Sequence, residues 1–315
     1  MQLLKFPSGG EVFAVWYLPA STGALAGPYG RPCVVMAHGF GGTRDCGLLP
    51  YAEGFAAAGL DVLLFDYRGF GDSSGSPRQL VSHRRQRQDY HAAIAAARQM
   101  SGVDPERIVL WGTSYSGGHV VAVAARDCRV AGAISMTPAM DGAMALAQMA
   151  RSASPREMRG AITNGLRDAL RGVTGRAPHC VPIVGPPESG AVIGAPGAEE
   201  VLVALAGPGW RNAVCARAVF GFPFNRPVRF ASRVGCPLLV QVGIKDRIAP
   251  PDGGRRAAAK AGILAELREY PVDHLDVYDG GGRDAMLADQ IDFVRRALDE
   301  VSRETRVQAS DPTAY

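Results

Sequence analysis

The sequence predicts an α/β fold with a doubly wound, mostly parallel, eight-stranded sheet and an inserted cap. Five short runs are apolar at all, or all but one, of their positions, which is typical of strands that are buried on both faces of a parallel sheet. Helical patterns alternate with these runs, as they do in consecutive βα units. This alternation is lost between residues 138 and 232, where Ala, Gly, Pro and Met dominate the composition, and the loss indicates an insertion.

The strands and helices can be assigned in chain order. Alternating segments at 3–6 and 11–19 flank the turn sequence PSGG, which predicts an antiparallel hairpin. The apolar runs lie at 33–37, 61–65, 107–111, 130–135 and 237–243, and a last strand is expected at 265–272. Helical patterns occupy residues 48–58, 84–100, 115–126 and 285–302.

The insertion divides the chain into two predicted units. The main domain comprises residues 1–137 and 233–315, and the cap or lid comprises residues 138–232. Helices are expected in the cap at 139–151, 155–171 and 197–206, joined by loops rich in Pro and Gly. Long loops inside a compact domain usually carry function, so we expect the cap to cover the functional site.

The composition excludes several classes of protein. With 315 residues, 47% of them hydrophobic and 20% charged, the chain is not expected to be disordered, collagen-like or a coiled coil. The net charge of +4 is mild, and the basic cluster at Arg84–Arg87 is interpreted as a solvated helix start, so no nucleic-acid partner is expected. No apolar run approaches the ~18 residues of a membrane span, and no secretory signal is evident at residues 1–10.

The cysteine pattern favours a reducing compartment. Six cysteines are scattered without a CxxC spacing, so we interpret them mostly as buried apolar residues. Neither a metal site nor a cofactor is expected, since no ligand spacing supports one. A cytoplasmic protein without membrane attachment is therefore expected, and a homodimer is left open.

The segment that follows the run at 107–111 has the pattern of a nucleophile elbow. Gly112 and Ser116 flank Ser114 by two positions on either side, between a buried strand and a helix. A strand that turns abruptly into a helix strains the middle residue and requires small neighbours. The hydroxyl of Ser114 would then project above the carboxyl edge of the sheet, where open α/β sheets bind ligands.

With this elbow the chain resembles the α/β-hydrolase superfamily, and GTSYSGG and YPVDHLDVY are most similar to its dienelactone-hydrolase-like and X-Pro-peptidase-like branches. The loop at residues 38–42, HGFGG, and the turn DYRGFGDS at 66–73 also match the superfamily. The resemblance assigns the loop to an oxyanion hole, formed by the backbone N–H groups of Phe40 and Tyr115. Because the elbow carries Ser rather than Cys or Asp, acyl transfer through a serine ester is implied.

The resemblance also implies a base and an orienting acid after the nucleophile, in the order Ser, Asp or Glu, His. Asp246 follows the strand at 237–243, and His274 follows the last strand. The 28 residues between them fit one helix and one strand. The predicted triad is therefore Ser114, Asp246 and His274.

Alternatives for the acid and the base remain open at this point. Asp141 follows the strand before the insertion, where some members of the superfamily place the acid. His179 lies in the cap and could reach the site. Asp273 and Asp276 lie too close to His274 in sequence to orient it easily.

We expect a serine hydrolase that cleaves a carboxylic ester, thioester or lactone. Apolar cap residues, among them Met140, Met144, Trp210 and Phe222, favour an apolar acyl or alkyl group, although such residues also pack mini-domains. The alternatives are an acyltransferase or biosynthetic thioesterase, a peptidase or amidase and, more remotely, a non-catalytic ligand sensor. The expected partner is a small-molecule substrate.

Overall fold

The computed structural model describes residues 1–152 and 154–310, with the side chains of all of these except 149, 150, 152 and 300–310. Eight strands form one sheet in the order β1-β2-β4-β3-β5-β6-β9-β10. The pairs β1–β2 and β2–β4 are antiparallel, and every other neighbouring pair is parallel. The predicted fold class is therefore confirmed.

The strands of this sheet follow the predicted runs closely. They are β1 (Gln2–Ser8), β2 (Glu11–Leu18), β3 (Arg31–Ala37), β4 (Asp61–Phe65), β5 (Val103–Thr113), β6 (Val130–Met136), β9 (Leu238–Gly243) and β10 (Ala265–Tyr270). Strands β4, β6 and β9 are buried at every residue, because helices cover both faces of the sheet. At β5 the strand begins four residues before the apolar run, since Val103 still pairs with Arg31 of β3.

The helices divide between the two faces of the sheet. They are α1 (Leu49–Ala57), α2 (His83–Gln99), α3 (Tyr115–Ala124), α4 (Gly142–Ser152), α5 (Pro155–Val173), α6 (Ala198–Leu205), α7 (Asp252–Ala261) and α8 (Gly280–Ser310). One hydrophobic cluster joins the sheet to α2, α3 and α7, and the other joins it to α1 and α8. No helix among the described residues is both long and apolar enough to cross a membrane.

The chain between β6 and β9 lies outside the large sheet. It contains α4, α5 and α6, a two-stranded ladder of β7 (Cys180–Val181) and β8 (Val214–Cys215), and three short 3-10 segments. Helix α4 begins at Gly142 rather than at the expected residue 139, because the carboxylate of Asp141 accepts hydrogen bonds from the N–H groups of Ala143 and Met144. The domain boundaries at 138 and 232 remain an interpretation.

The cysteines depart in part from the expectation. All six are free; Cys33, Cys215 and Cys236 are buried, but Cys128 and Cys180 are exposed. The two exposed residues lie outside the large sheet, in the turn before β6 and in the cap ladder. Their thiols are therefore not the buried apolar groups that we expected from the sequence.

Candidate active site

Ser114 occupies a strained turn between β5 and α3. Its backbone has φ 55° and ψ −115°, a conformation that is costly for a residue with a side chain. A Cβ atom on Gly112 would overlap the carbonyl oxygen of Ser116, so glycine is required there. The hydroxyl of Ser116 lies 2.9 Å from the carbonyl oxygen of Ala37 and accepts the N–H of Thr113 at 2.8 Å. The second flanking residue therefore holds the turn against β3, a role beyond small size that its sequence position did not indicate.

Three predicted side chains meet above the carboxyl edge of the sheet. His274 Nε2 lies 3.0 Å from Ser114 Oγ, and His274 Nδ1 lies 2.6 Å from Asp246 Oδ2. Both the imidazole and the carboxylate are almost fully buried, at 3% and 6% exposure. The structure thus brings together the hydroxyl, the imidazole and the carboxylate that the sequence proposed, from loops that follow β5, β10 and β9.

The carboxylate of Asp246 is fixed by its own loop. Its Oδ1 atom accepts the backbone N–H groups of Ile248 at 2.9 Å and Ala249 at 2.6 Å. These two bonds leave Oδ2 to accept a hydrogen bond from the N–H group of His274 Nδ1. With its Nδ1 proton engaged, the imidazole presents Nε2 to Ser114 as a proton acceptor.

Asp273 ties the histidine loop to the acid loop. Its carboxylate accepts the N–H groups of His274 at 2.7 Å and Arg247 at 3.1 Å, and it pairs with the Arg247 guanidinium. Partial burial raises the pKa of Asp273, but these hydrogen bonds outweigh that effect and hold the pKa below its usual value. Sequence reasoning excluded this residue as the orienting acid and did not identify its bridging role.

The loop after β3 closes tightly over the nucleophile. A Cβ atom on Gly39 would lie 3.1 Å from Ser114 Cβ, so the glycine allows the backbone to approach. Tyr115 is the first residue of α3, where N–H groups have no acceptor within the helix and carry partial positive charge. His38 Nδ1 bonds to the carbonyl oxygen of Gly39 at 3.0 Å. Burial lowers the pKa of His38 to about 4, so this histidine is neutral and holds the loop.

The alternative acid and base lie in other interactions. Asp141 forms a two-point ion pair with Arg226, at 2.8 and 2.9 Å. His179 Nε2 bonds to Asn164 Oδ1 at 3.0 Å within the cap. Among the described side chains, the imidazole that hydrogen-bonds to Ser114 is that of His274.

Aromatic residues from both units pack on the loop that follows β3. The Phe40 ring lies 5.7 Å from Tyr115 and 5.4 Å from Phe222 of the cap, in edge-to-face packing. Trp210 Nε1 donates to the carbonyl oxygen of Gly41 at 3.1 Å. Of the cap residues singled out from the sequence, Phe222 and Trp210 therefore lie against the loop at residues 38–42, which we call the oxyanion loop after the role that the family resemblance implies for it.

The other two cap residues lie elsewhere. Met140 is buried against α7, where a Cβ atom on Gly253 would lie 3.1 Å from its Cβ. Met144 is 45% exposed on α4.

Ile183 and Asp45 each make a contact between the cap and the main domain that was not predicted from the sequence. Gly41 has a φ of +63°, and a Cβ atom there would lie 2.6 Å from Ile183 of the cap. Asp45 Oδ2 accepts the N–H of Gly209 at 3.0 Å. Both contacts join positions more than 100 residues apart, and no local pattern marks such pairs.

Comparison with known proteins gives a consistent result. Residues 32–174 match the family described as alpha/beta hydrolase fold. The quorum-quenching protein AidA of Acinetobacter baumannii (strain MDR-ZJ06) is 40% identical over 269 residues, which are 85% of this chain and 87% of AidA. The thiohydrolase apmlB of Arthrinium phaeospermum is 28% identical over 84% of this chain and 88% of its own length. The crystal structure of alpha/beta hydrolase GrgF from Penicillium sp. sh18 superposes with a TM-score of 0.79 at 24% identity, covering 94% of this chain and 98% of GrgF.

Proposed function

Since the chain belongs to the alpha/beta hydrolase fold family, we propose that it is a serine hydrolase that acts through an acyl-enzyme at Ser114. Its substrate is a carboxylic ester, thioester or lactone. The observation that carries this proposal is the continuous hydrogen-bonded series from Ser114 through His274 to Asp246. A buried imidazole that joins a strained serine to a fixed carboxylate is what nucleophilic acyl transfer requires.

Each residue has one role in the proposed reaction. His274 takes the proton of Ser114 as the hydroxyl oxygen attacks the acyl carbon, and Asp246 stabilises the imidazolium that forms. The backbone N–H groups of Phe40 and Tyr115 donate to the oxyanion of the tetrahedral intermediate. His274 then protonates the leaving group, and water, activated by the same imidazole, hydrolyses the acyl-enzyme.

The apolar surroundings of the serine favour an apolar substrate. The rings of Phe40, Tyr115, Phe222 and Trp210 are next to the reacting hydroxyl or its oxyanion loop. These surfaces gain free energy when they cover an acyl or alkyl chain, at about 25 cal/mol per Å² removed from water. A small-molecule substrate with a medium-length apolar group is therefore proposed.

Ser114→Ala tests the proposal directly. With p-nitrophenyl esters of graded chain length, kcat should fall by at least ~10³-fold, and labelling by a fluorophosphonate should be lost. Ser101→Ala is the matched control, because Ser101 carries an exposed hydroxyl in the turn before β5. This variant should keep both ester turnover and labelling by the fluorophosphonate. Unchanged ester turnover in folded Ser114→Ala protein would overturn the proposal.

Two further measurements separate the related activities. A matched anilide compared with its ester distinguishes amidase from esterase activity. Added alcohol or thiol acceptors distinguish acyl transfer from hydrolysis, because a transferase partitions its acyl-enzyme toward the acceptor at the expense of the free acid. A folded wild-type chain that is neither labelled nor active would instead indicate a ligand sensor.

A further inference from the structure

The cap contains two free cysteines that lie directly opposite each other. In the antiparallel ladder of β7 and β8, Cys180 pairs with Cys215. The N–H of Ala216 donates to the carbonyl oxygen of His179 at 3.0 Å, so that neighbouring pair is the hydrogen-bonded one, and Cys180 and Cys215 occupy a non-hydrogen-bonded position. At such positions the Cα atoms are about 4.5 Å apart, which falls within the range that a disulfide spans.

The two thiols differ in access but contact each other. Cys180 is exposed, whereas Cys215 is fully buried. Burial raises the pKa of the Cys215 thiol to about 12, and the Cys180 thiol contributes to this rise through a hydrogen bond. Burial also raises the pKa of Cys180, while the bond with Cys215 opposes it. The pair is therefore neutral when reduced, and a disulfide would bury no charge at this place.

Strand β8 is anchored to the main domain on the far side of the pair. The N–H of Cys215 donates to the carbonyl oxygen of Gln79 at 2.9 Å, and Gln79 Nε2 donates to the carbonyl oxygen of Ala213 at 2.6 Å. The thiol of Cys215 donates to the carbonyl oxygen of Arg78 at 3.2 Å. Strand β7 has two residues, and its partner in the ladder is β8. A disulfide between the two strands would therefore hold β7 to the main domain through β8.

The chain between the two cysteines carries two of the cap contacts of the oxyanion loop. Ile183 follows β7 and packs at Gly41, and Trp210 precedes β8 and donates to the carbonyl oxygen of Gly41. Asn212 joins the two arms, since its Oδ1 accepts the N–H groups of Ile183 and Val184, each at 2.9 Å. A disulfide between Cys180 and Cys215 would therefore join the two ends of the chain segment that contacts this loop.

We propose that Cys180 and Cys215 form a reversible disulfide that closes the cap segment between them onto the oxyanion loop. The oxidant is a low-molecular-weight disulfide such as glutathione disulfide. The sulfur of Cys180, after losing its proton to solvent, attacks the oxidant and releases one glutathione thiolate, which takes up a proton. The sulfur of Cys215 loses its proton and attacks Cys180, and a second glutathione leaves as the thiol. Two protein thiols are oxidised and one glutathione disulfide is reduced to two thiols.

The consequence for turnover rests on the proposed function. A closed segment keeps Ile183 and Trp210 on the loop that would bind the oxyanion. Ser114 is partly exposed with the segment in place, so short esters should reach it, whereas a long acyl chain should require the segment to move. Oxidation should therefore reduce turnover of long-chain esters selectively, and dithiothreitol should restore it.

The test compares the reduced full-length chain with the same chain incubated with glutathione disulfide at mildly alkaline pH. Peptide mapping without reduction should find Cys180 linked to Cys215 in the wild type and in Cys128→Ser, which removes an exposed cysteine outside the cap. The link should be absent in Cys180→Ser and Cys215→Ser. Oxidation should raise the midpoint of thermal unfolding by roughly 5 °C or more, and Cys180→Ser should abolish this rise.

The proposal is overturned if Cys180 stays reduced, or stops at the mixed disulfide with glutathione, under conditions in which Cys128 is modified. Failure of the proposed function has a different signature. In that case the link and the rise in unfolding temperature persist, but Ser114 is not labelled by a fluorophosphonate and no ester is turned over.

Discussion

The Asp246→Asn substitution replaces one carboxylate oxygen of the proposed triad by an NH₂ group. It tests how strongly turnover depends on the tautomer of His274. The amide oxygen must stay at the Oδ1 position, because the N–H groups of Ile248 and Ala249 both donate to it. Rotating the amide would leave these two buried donors without acceptors, at about 1–3 kcal/mol each. The NH₂ group therefore faces His274 Nδ1, which must then accept, and Nε2 carries the proton toward Ser114.

An imidazole in that tautomer cannot take the serine proton. We expect kcat/KM to fall by about 10³–10⁴-fold, equivalent to ~4–5.5 kcal/mol of transition-state stabilisation. The assay is steady-state hydrolysis of a p-nitrophenyl ester near neutral pH, with circular dichroism and thermal unfolding to verify the fold. The size of the effect follows from the tautomer, because the substitution preserves the volume and the two backbone hydrogen bonds.

Asp141→Asn is the matched control, since Asp141 is the acid that the sequence left as an alternative. Its carboxylate pairs with a partly exposed Arg226, so the substitution should cost little stability and leave turnover unchanged. If folded Asp246→Asn protein keeps near-wild-type kcat/KM, the assignment of Asp246 as orienting acid is wrong. A large loss in Asp141→Asn instead would transfer that role to Asp141.

Two other predictions concern the cap contact and the buried histidines. Trp210→Phe removes the donor to the carbonyl oxygen of Gly41 and should lower kcat/KM by roughly fivefold, or about 1 kcal/mol; an unchanged value would show that this contact does not support the loop. Burial lowers the pKa of His38 to about 4 and that of His119 well below 6.5. The unfolded chain therefore binds protons that the folded chain does not, so the free energy of unfolding should fall as the pH drops below 6.5. Urea unfolding at several pH values should show this fall. His119→Gln should reduce the slope of the unfolding free energy against pH by about 1.4 kcal/mol per pH unit; an equal slope in the variant would contradict this explanation.

Much of the fold could be predicted because its signals are local. Strands buried on both faces must be apolar at nearly every position, and the runs at 61–65 and 130–135 are apolar apart from Asp61 and Ser135. The elbow is also local, since Gly112, Ser114 and Ser116 lie within five residues and their steric requirement follows from one turn. The oxyanion loop is marked in the same way by the glycines at 39, 41 and 42, which allow the close approach seen at Ser114.

Assigning the partners of the serine required more than the sequence. The family resemblance implied an order, Ser114, Asp246 and His274, but Asp141 and His179 remained as alternatives. Only the packing of β5, β9 and β10 in one sheet places the three loops at one edge, where a hydrogen bond of 2.6 Å and another of 3.0 Å join them.

The cap shows most clearly what tertiary structure alone decided. Its apolar residues looked equivalent in the sequence, yet Trp210 and Phe222 lie at the oxyanion loop, Met140 is buried against α7 and Met144 faces solvent. Cys180 and Cys215 are likewise paired only by the ladder that joins β7 to β8. Local sequence determines which side chains must be buried and where the backbone must turn, because these requirements act over a few residues. Which distant side chains meet depends on how whole elements pack. For this chain that packing determined which carboxylate lies beside His274, which cap rings lie at the oxyanion loop and which thiols face each other.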